Sequence, residues 1–349
     1  MFMLQVAVVQ GQGGISTAVA HYERMFKAQG VNSAVLFRGP AMQRLRDEGF
    51  DVIEAPDLLT SPLGGLLPVF GAVRSAVTAR AGADPVTLIV HSDRTLPALR
   101  QLFPGARVVT PCHSDKFKHK THADLVVTLN AAQHAMAQRA LPRGRIALLG
   151  NPYVAQPAAP PVETGAPRVN FVARFIPTKD PMTLMRAAAQ TRDKLQFRFI
   201  GAGPLEADLR TAAQTLGVNA SFPGWLPAPF AEFHRNDILV LPSHWEGLPY
   251  LLQEALDHTA PIIASDNAGN RAALNDGAFG LLFPTGDAAA LAQAIDRAVA
   301  DLDALRLMSE KGRSALHERY GAAAFWLALQ RAWTNSDHVG LAHPLSRPH

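Results

Sequence analysis

A chain of 349 residues with 48% hydrophobic and 18% charged side chains carries enough apolar material for two cores, which excludes a disordered or fibrous protein. The net charge is a modest +4, and the single cysteine, Cys112, excludes an internal disulfide framework and favours a reducing, cytoplasmic location. No apolar run reaches transmembrane length: the nearest, Leu58 to Val73, spans 16 residues and is broken by Pro62, Gly64, Gly65, Pro68 and Gly71.

The chain opens on MFMLQVAVVQGQGG, which lacks a basic leader and runs straight into a glycine turn, so it reads as a first strand and not a signal peptide. Apolar runs follow at Val6 to Val9, Ala34 to Phe37, Val86 to Val90, Val108 to Val109, Leu125 to Leu129 and Ile146 to Leu149, alternating with helix-like segments. In the first loop, Gly11 and Gly13 begin a dinucleotide fingerprint, but Ser16 takes the third glycine position. The second strand then ends at Arg38 with no acid for a ribose diol, which speaks against a nicotinamide enzyme. Charge is uneven. Residues 1–155 hold 16 Lys and Arg against 10 Asp and Glu, whereas the remainder holds 17 against 19. A cluster at Lys116, Lys118, His119 and Lys120 follows a strand end; it suits an anionic acceptor or an anionic membrane surface, or else is a solvated basic helix face. Nucleic acid is not expected, because no recognition motif appears. His113, Asp115, His119 and His122 have no zinc-ligand spacing, so no metal site is expected.

The Pro-rich stretch Asn151 to Pro167 divides the chain. It implies a first domain over 1–155, a linker over 156–167, a second domain over 168–320, a helix over 321–335 crossing back to the first domain, and a disordered tail over 336–349. Runs at Val169 to Ala173, Phe197 to Ile200, Ala220 to Phe222, Ile238 to Leu241, Pro261 to Ala264 and Gly280 to Phe283 repeat the alternation. The expected fold is α/β: two Rossmann-like, doubly wound parallel sheets facing across a cleft.

In NFVARFIPTKDP a strand delivers Arg174 and then Lys179, two cations suited to a diphosphate. FRFIGAGPLEADL ends a strand at Gly201 and Gly203, where the backbone allows close approach. ILVLPSHWEGLPYLLQEAL places Glu246 in a strand-to-helix loop, with Pro249 in the first helical turn and Glu254 on the helix. A carboxylate there can accept hydrogen bonds from a sugar diol, and the helix N-terminus offers N–H groups to phosphate. Each signal alone is consistent with surface pairs and helix capping. Arranged in order on successive strand ends, they point to one nucleotide-sugar site. Two further helices are expected at Ala288 to Leu305 and Ala322 to Ala332. The only D-x-D string, Asp301 to Asp303, falls in the first of them and calls for no divalent ion.

Nearly the whole chain resembles family 4 of the retaining glycosyltransferases, which have the GT-B fold. R-x4-K at Arg174 and Lys179, GAGP at Gly201 to Pro204 and E-x7-E at Glu246 and Glu254 carry the resemblance, more loosely joined by Gly13, Gly14, His113 and Asn151. It implies that Arg174 and Lys179 hold the donor diphosphate, that Glu246 contacts the donor sugar's hydroxyls with His113 beside it, and that Glu254 takes the ribose diol. The backbone around Gly247, Leu248, Pro249 and Tyr250 would lie near the phosphates. The sequence departs from the pattern at Thr259, where the family usually has Gly, and at Ala272 or Ala273, where an acid is usual. The activity implied is metal-independent, cofactor-free transfer of a hexosyl unit, with retention, from a nucleotide diphosphate sugar to a hydroxyl of a lipid-linked or saccharide acceptor. The setting implied is cell-surface polysaccharide or glycolipid synthesis, peripheral on the inner membrane face. The alternatives are a non-catalytic sugar-nucleotide-binding protein and a GT-B sugar-nucleotide epimerase.

Overall fold

The computed structural model describes residues 1–9, 13–60, 68–156 and 165–334. Gly11, the middle of the Leu58 to Val73 run, most of the 156–167 linker and the tail over 336–349 lie outside the described residues. The chain forms two compact units, one built from Met1–Val154 together with the chain from Arg319 onward, the other from Ala155–Glu318.

In the first unit, β1 (Phe2–Val8), β2 (Ser33–Arg38), β3 (Val52–Glu54), β4 (Val86–Val90), β5 (Arg107–Pro111), β6 (Leu125–Thr128) and β7 (Ile146–Leu148) form a parallel sheet in the order β3-β2-β1-β4-β5-β6-β7. The connecting helices are α1 (Gly14–Ala28), α2 (Met42–Asp47), α3 (Pro68–Ala81), α4 (Leu96–Leu102) and α5 (Ala131–Ala140). The inner strands read as unbroken apolar runs because helices cover both faces of a parallel sheet. β3 was not visible as such a run: it has three residues, lies at the sheet edge and is only partly buried.

The second unit repeats the plan with β8 (Arg168–Val172), β9 (Gln196–Ile200), β10 (Ala220–Gly224), β11 (Ile238–Leu241), β12 (Ile262–Ser265) and β13 (Leu281–Phe283), in the order β10-β9-β8-β11-β12-β13. Its helices are α6 (Pro181–Ala188), α7 (Glu206–Leu216), α8 (Tyr250–Asp257), α9 (Ala268–Ala273), α10 (Ala288–Ala300) and α11 (Leu302–Tyr320). The single helix expected over Ala288 to Leu305 is therefore two. The chain breaks at Asp301, whose Oδ1 accepts a hydrogen bond from Ala304 N at 3.0 Å and so caps α11. The last helix, α12 (Ala322–Thr334), belongs to the first unit: Phe325, Trp326 and Leu329 pack with Met3, Tyr22 and Phe26 of β1 and α1. Phe26 and Trp326 meet edge to face, with centroids 5.8 Å apart.

In each sheet the winding reverses once, between β1 and β4 and between β8 and β11. At such a point the loops leaving the two strands run in opposite directions and open a crevice outside their carboxyl ends.

One helix end carries visible strain. Thr259 follows α8 at φ +52°; its N–H donates to Leu256 O at 3.0 Å, and Ala260 N–H donates to Ala255 O at 2.9 Å. This pair of bonds is a Schellman cap, whose left-handed position favours Gly. A β-branched residue there costs about 1–2 kcal/mol. Thr259→Gly is accordingly expected to stabilise the protein by about 1 kcal/mol, raising its melting temperature by roughly 2–4 °C. Calorimetry of the two forms checks this, and an unchanged or lowered melting point would count against the strain.

Candidate functional site

At the reversal point of the second unit, the chain leaving β8 presents Arg174 exposed to solvent. Among the described residues its guanidinium has no hydrogen-bond or ion-pair partner. The following turn brings Lys179 to the start of α6. Asp180, at φ +46°, caps that helix, with Oδ1 accepting from Thr183 N at 3.2 Å and Oδ2 from Thr183 Oγ1 at 2.6 Å. From the other side of the reversal point, the loop after β11 carries Glu246, whose side chain is only 8% exposed. Lys179 Nζ donates to Glu246 Oε1 at 2.5 Å, joining residues 67 apart in sequence. The two loops are stitched twice more: His244 N donates to Thr178 O at 2.9 Å, and the His244 ring lies 3.3 Å from Asp180 Oδ2.

Glycines allow the strand-end loops to crowd together. A Cβ at Gly201 would collide with the Ala173 carbonyl, and one at Gly203 with the Phe175 backbone. A Cβ at Gly269 would lie 2.8 Å from Glu246 Cβ and closer still to the Glu246 carbonyl. Gly269 is itself held by Asn267, whose Oδ1 accepts from Gly269 N and Asn270 N, each at 3.1 Å. Asn267 Nδ2 in turn donates to Ser243 O at 2.9 Å, tying the loop after β12 to the loop after β11.

Gly247, Leu248, Pro249 and Tyr250 are buried beside Glu246 and lead into α8. Pro249 is the N-cap of α8, at φ −72° and ψ 123°, not the first-turn residue that the sequence suggested. The correction matters little, because a proline at either place gives up no helical hydrogen bond. Glu254 lies one turn into α8 and is partly exposed. Its neighbour Gln253 is 1% exposed, with both amide atoms unpartnered among the described residues. Sequence reasoning passed over this glutamine, although a polar residue in an apolar helix stripe was a readable signal. It also passed over Trp225, 50% exposed just beyond the end of β10. A separate pocket lined by Phe230, His234, His258, Thr259 and Arg306 sits at the far end of α8 and contains none of the expected site residues.

In the first unit, Gly13 and Gly14 begin α1, and a side chain at Gly14 would meet open space. His113 follows β5 and is partly exposed. Its Nε2 lies 2.9 Å from Nδ1 of His91, which leaves β4 at that unit's own reversal point, and the two rings stack. Burial lowers the His113 pKa to about 4, Lys120 pushing the same way and Asp93 opposing. Burial likewise holds His91 far below its ordinary range. Both imidazoles are therefore neutral at physiological pH.

The basic cluster is smaller than its sequence implied. Lys120 is buried, with Nζ 2.9 Å from Asp93 Oδ2, so it is a structural cation and not a surface one. Lys116 and Lys118 remain exposed. Among the described residues, no group of three or more His, Cys, Asp or Glu is placed to hold a metal ion, and no helix is long and apolar enough to cross a membrane.

Residues 155–315 match a family model described as glycosyl transferases group 1. The chain is 33% identical over 159 residues to D-inositol 3-phosphate glycosyltransferase of Nocardia farcinica (strain IFM 10152), covering 41% of this chain and 35% of that protein. It is 29% identical over 154 residues to UDP-Gal:alpha-D-GlcNAc-diphosphoundecaprenol alpha-1,3-galactosyltransferase of Escherichia coli, covering 42% and 40%. The chain thus spans little more than a third of the length of these curated relatives. Anabaena HepE in complex with UDP and glucose superposes with a TM-score of 0.75 over 95% of this chain and 99% of that one, at 16% identity. Residues 155–315, which carry the Lys179–Glu246 contact, are thereby matched to the glycosyl transferases group 1 family, in a chain whose two parallel-sheet α/β domains have the fold of GT-B glycosyltransferases.

Proposed function

We propose that this protein is a retaining, metal-independent glycosyltransferase that moves a hexosyl unit from a nucleotide diphosphate sugar to a hydroxyl acceptor. The observation that carries the reading is the Lys179–Glu246 pair at a sheet reversal point where the chain leaving β8 also presents Arg174, exposed and without a partner among the described residues. A diphosphate entering there meets two cations. Arg174 supplies a forked set of donors, and Lys179 a compact charge opposite the oxygen that becomes negative as the glycosidic bond breaks. Glu246, displaced from Lys179 by the phosphate, becomes an acceptor for the sugar's hydroxyls. Glu254, partly exposed on α8, is the candidate for the ribose diol, and the backbone of Gly247, Leu248, Pro249 and Tyr250 for the phosphate surroundings.

Retention follows if the acceptor enters on the face that the diphosphate leaves, with a diphosphate oxygen taking the acceptor proton. In that route the protein supplies position and charge and no nucleophile. The acceptor is read as a lipid-linked or saccharide hydroxyl in cell-surface polysaccharide or glycolipid synthesis. This is supported by the diphosphoundecaprenol substrate named for the Escherichia coli relative. Peripheral attachment to an anionic membrane now rests on Lys116 and Lys118 without Lys120. Flotation with vesicles of rising anionic lipid content should carry the protein upward, and indifference to that content would remove the membrane from the proposal.

Loss of one charge-assisted contact is worth about 1.5–3 kcal/mol, or roughly 10- to 150-fold in rate. Lys179→Ala is expected to lower transfer from a nucleotide sugar by that factor in the folded protein, and to lower the melting temperature as well, because the largely buried Glu246 carboxylate loses its cation; wild-type turnover would refute its role. Glu246→Gln is expected to act in two directions. It frees Lys179 for phosphate and so tightens binding of the sugar-free nucleoside diphosphate by about three- to tenfold, while lowering transfer. Calorimetric titration with UDP and an initial-rate assay read the two effects, and weaker UDP binding by this variant would contradict the exchange of partners.

A further inference from the structure

A line of buried polar side chains crosses the first unit and ends at His113. Ser33 Oγ donates to Glu23 Oε2 at 2.7 Å, Gln5 Nε2 donates to Glu23 Oε1 at 2.7 Å, and the same Nε2 donates to Val19 O at 3.1 Å. Gln5 Oε1 lies 2.7 Å from His91 Nε2, and His91 Nδ1 lies 2.9 Å from His113 Nε2. Gln5 and His91 are 0% and 3% exposed.

The order of donors along this line is determined at its inner end. The Val19 carbonyl can only accept, so it orients the Gln5 amide with Nε2 toward it and Oε1 toward His91. An amide oxygen has no proton to give, so His91 Nε2 must carry one. A neutral His91 then has a bare Nδ1, which requires the proton between the two rings to sit on His113 Nε2. His113, neutral as well, is left with an unprotonated Nδ1, which has no hydrogen-bond partner among the described residues. The backbone around it is anchored: Gln133 Nε2 donates to Cys112 O at 3.0 Å and to Asp115 Oδ1 at 2.9 Å, and Lys120 Nζ is hydrogen-bonded to the Ser114 and Lys116 carbonyls beneath the turn.

We infer that Gln5 and His91 are positioning residues that hold His113 in the Nε2–H tautomer, so that His113 meets its ligand as a hydrogen-bond acceptor. A lone pair in that position accepts from a neutral hydroxyl and repels an anionic oxygen. The chemical class selected is an uncharged sugar hydroxyl, in preference to a uronate carboxylate or a phosphate. The ligand class rests on the glycosyl-transfer reading above, whereas the proton order rests on the hydrogen bonds alone.

The test is a long-range proton–nitrogen correlation spectrum of the full chain labelled with nitrogen-15 histidine, near neutral pH. Signals are assigned by their loss in His91→Asn and His113→Asn. The expected result in the wild-type chain is both rings protonated at Nε2 and bare at Nδ1; His113 protonated at Nδ1 overturns the inference, the two Asn variants serving for assignment once each is shown to be folded. Gln5→Met, which keeps the side chain's length but removes its amide, should allow the second tautomer to appear at His113, and an unchanged spectrum of the folded variant also overturns it. In transfer assays, uronate-bearing donors are expected to react at least tenfold more slowly than their neutral counterparts, and equal rates overturn the acceptor role. Absence of transfer from every sugar nucleotide, together with the expected spectrum, overturns the transfer reading and leaves the proton order standing.

Discussion

The pairing of Lys179 with Glu246 is the interaction on which the second unit's site depends. A carboxylate with 8% of its side chain exposed is costly to bury unless a cation or hydrogen-bond donors compensate it. That cation comes from the opposite side of the sheet's reversal point, so the pair holds two loops together. Their close approach in turn requires the bare α-carbons of Gly201, Gly203 and Gly269, each of which lies against backbone of a neighbouring strand-end loop. Crowded backbone, a buried acid and a borrowed cation thus form one arrangement, and a change in any of them disturbs the others.

The first unit uses the same kind of place in its sheet with opposite electrostatics. Where the second unit gathers charge, the first gathers neutral dipoles: Gln5 and His91, both buried, lead from β1 and β4 to the partly exposed His113 in the turn after β5. Charges steer and stabilise an anion, whereas a chain of neutral groups with one allowed proton order imposes direction on a hydrogen bond.

The fold was legible because strands buried on both faces read as apolar runs bounded by glycine and proline, as in β4, β8 and β11. β3 was hidden by its edge position, since only a short and half-covered stretch of side chain is needed there. The break at Asp301 was hidden for another reason: an aspartate between two apolar helical stretches looks like a solvated residue until its carboxylate is seen bonded to Ala304 N. The candidate site's acids and bases could be named from their places after strand ends, while their mutual contacts could not, because sequence order carries no distance. Lys120 was read as a surface charge because its partner, Asp93, lies 27 residues away. Gln5 was the clearest signal overlooked. A glutamine in the middle of the apolar strand MLQVAV must find partners, and those partners lead to His113.

The placement of α12 has a consequence for biosynthesis. Its aromatic face completes the covering of β1 and α1, yet it is made from the end of the described chain. As the polypeptide emerges from the ribosome, Tyr22 and Phe26 are made before the whole second unit, and they wait through its synthesis for Phe325 and Trp326. Contacts of such long sequence separation close late and leave an oily surface open in the nascent protein. The first unit is thus a natural client for a chaperone until α12 has been made.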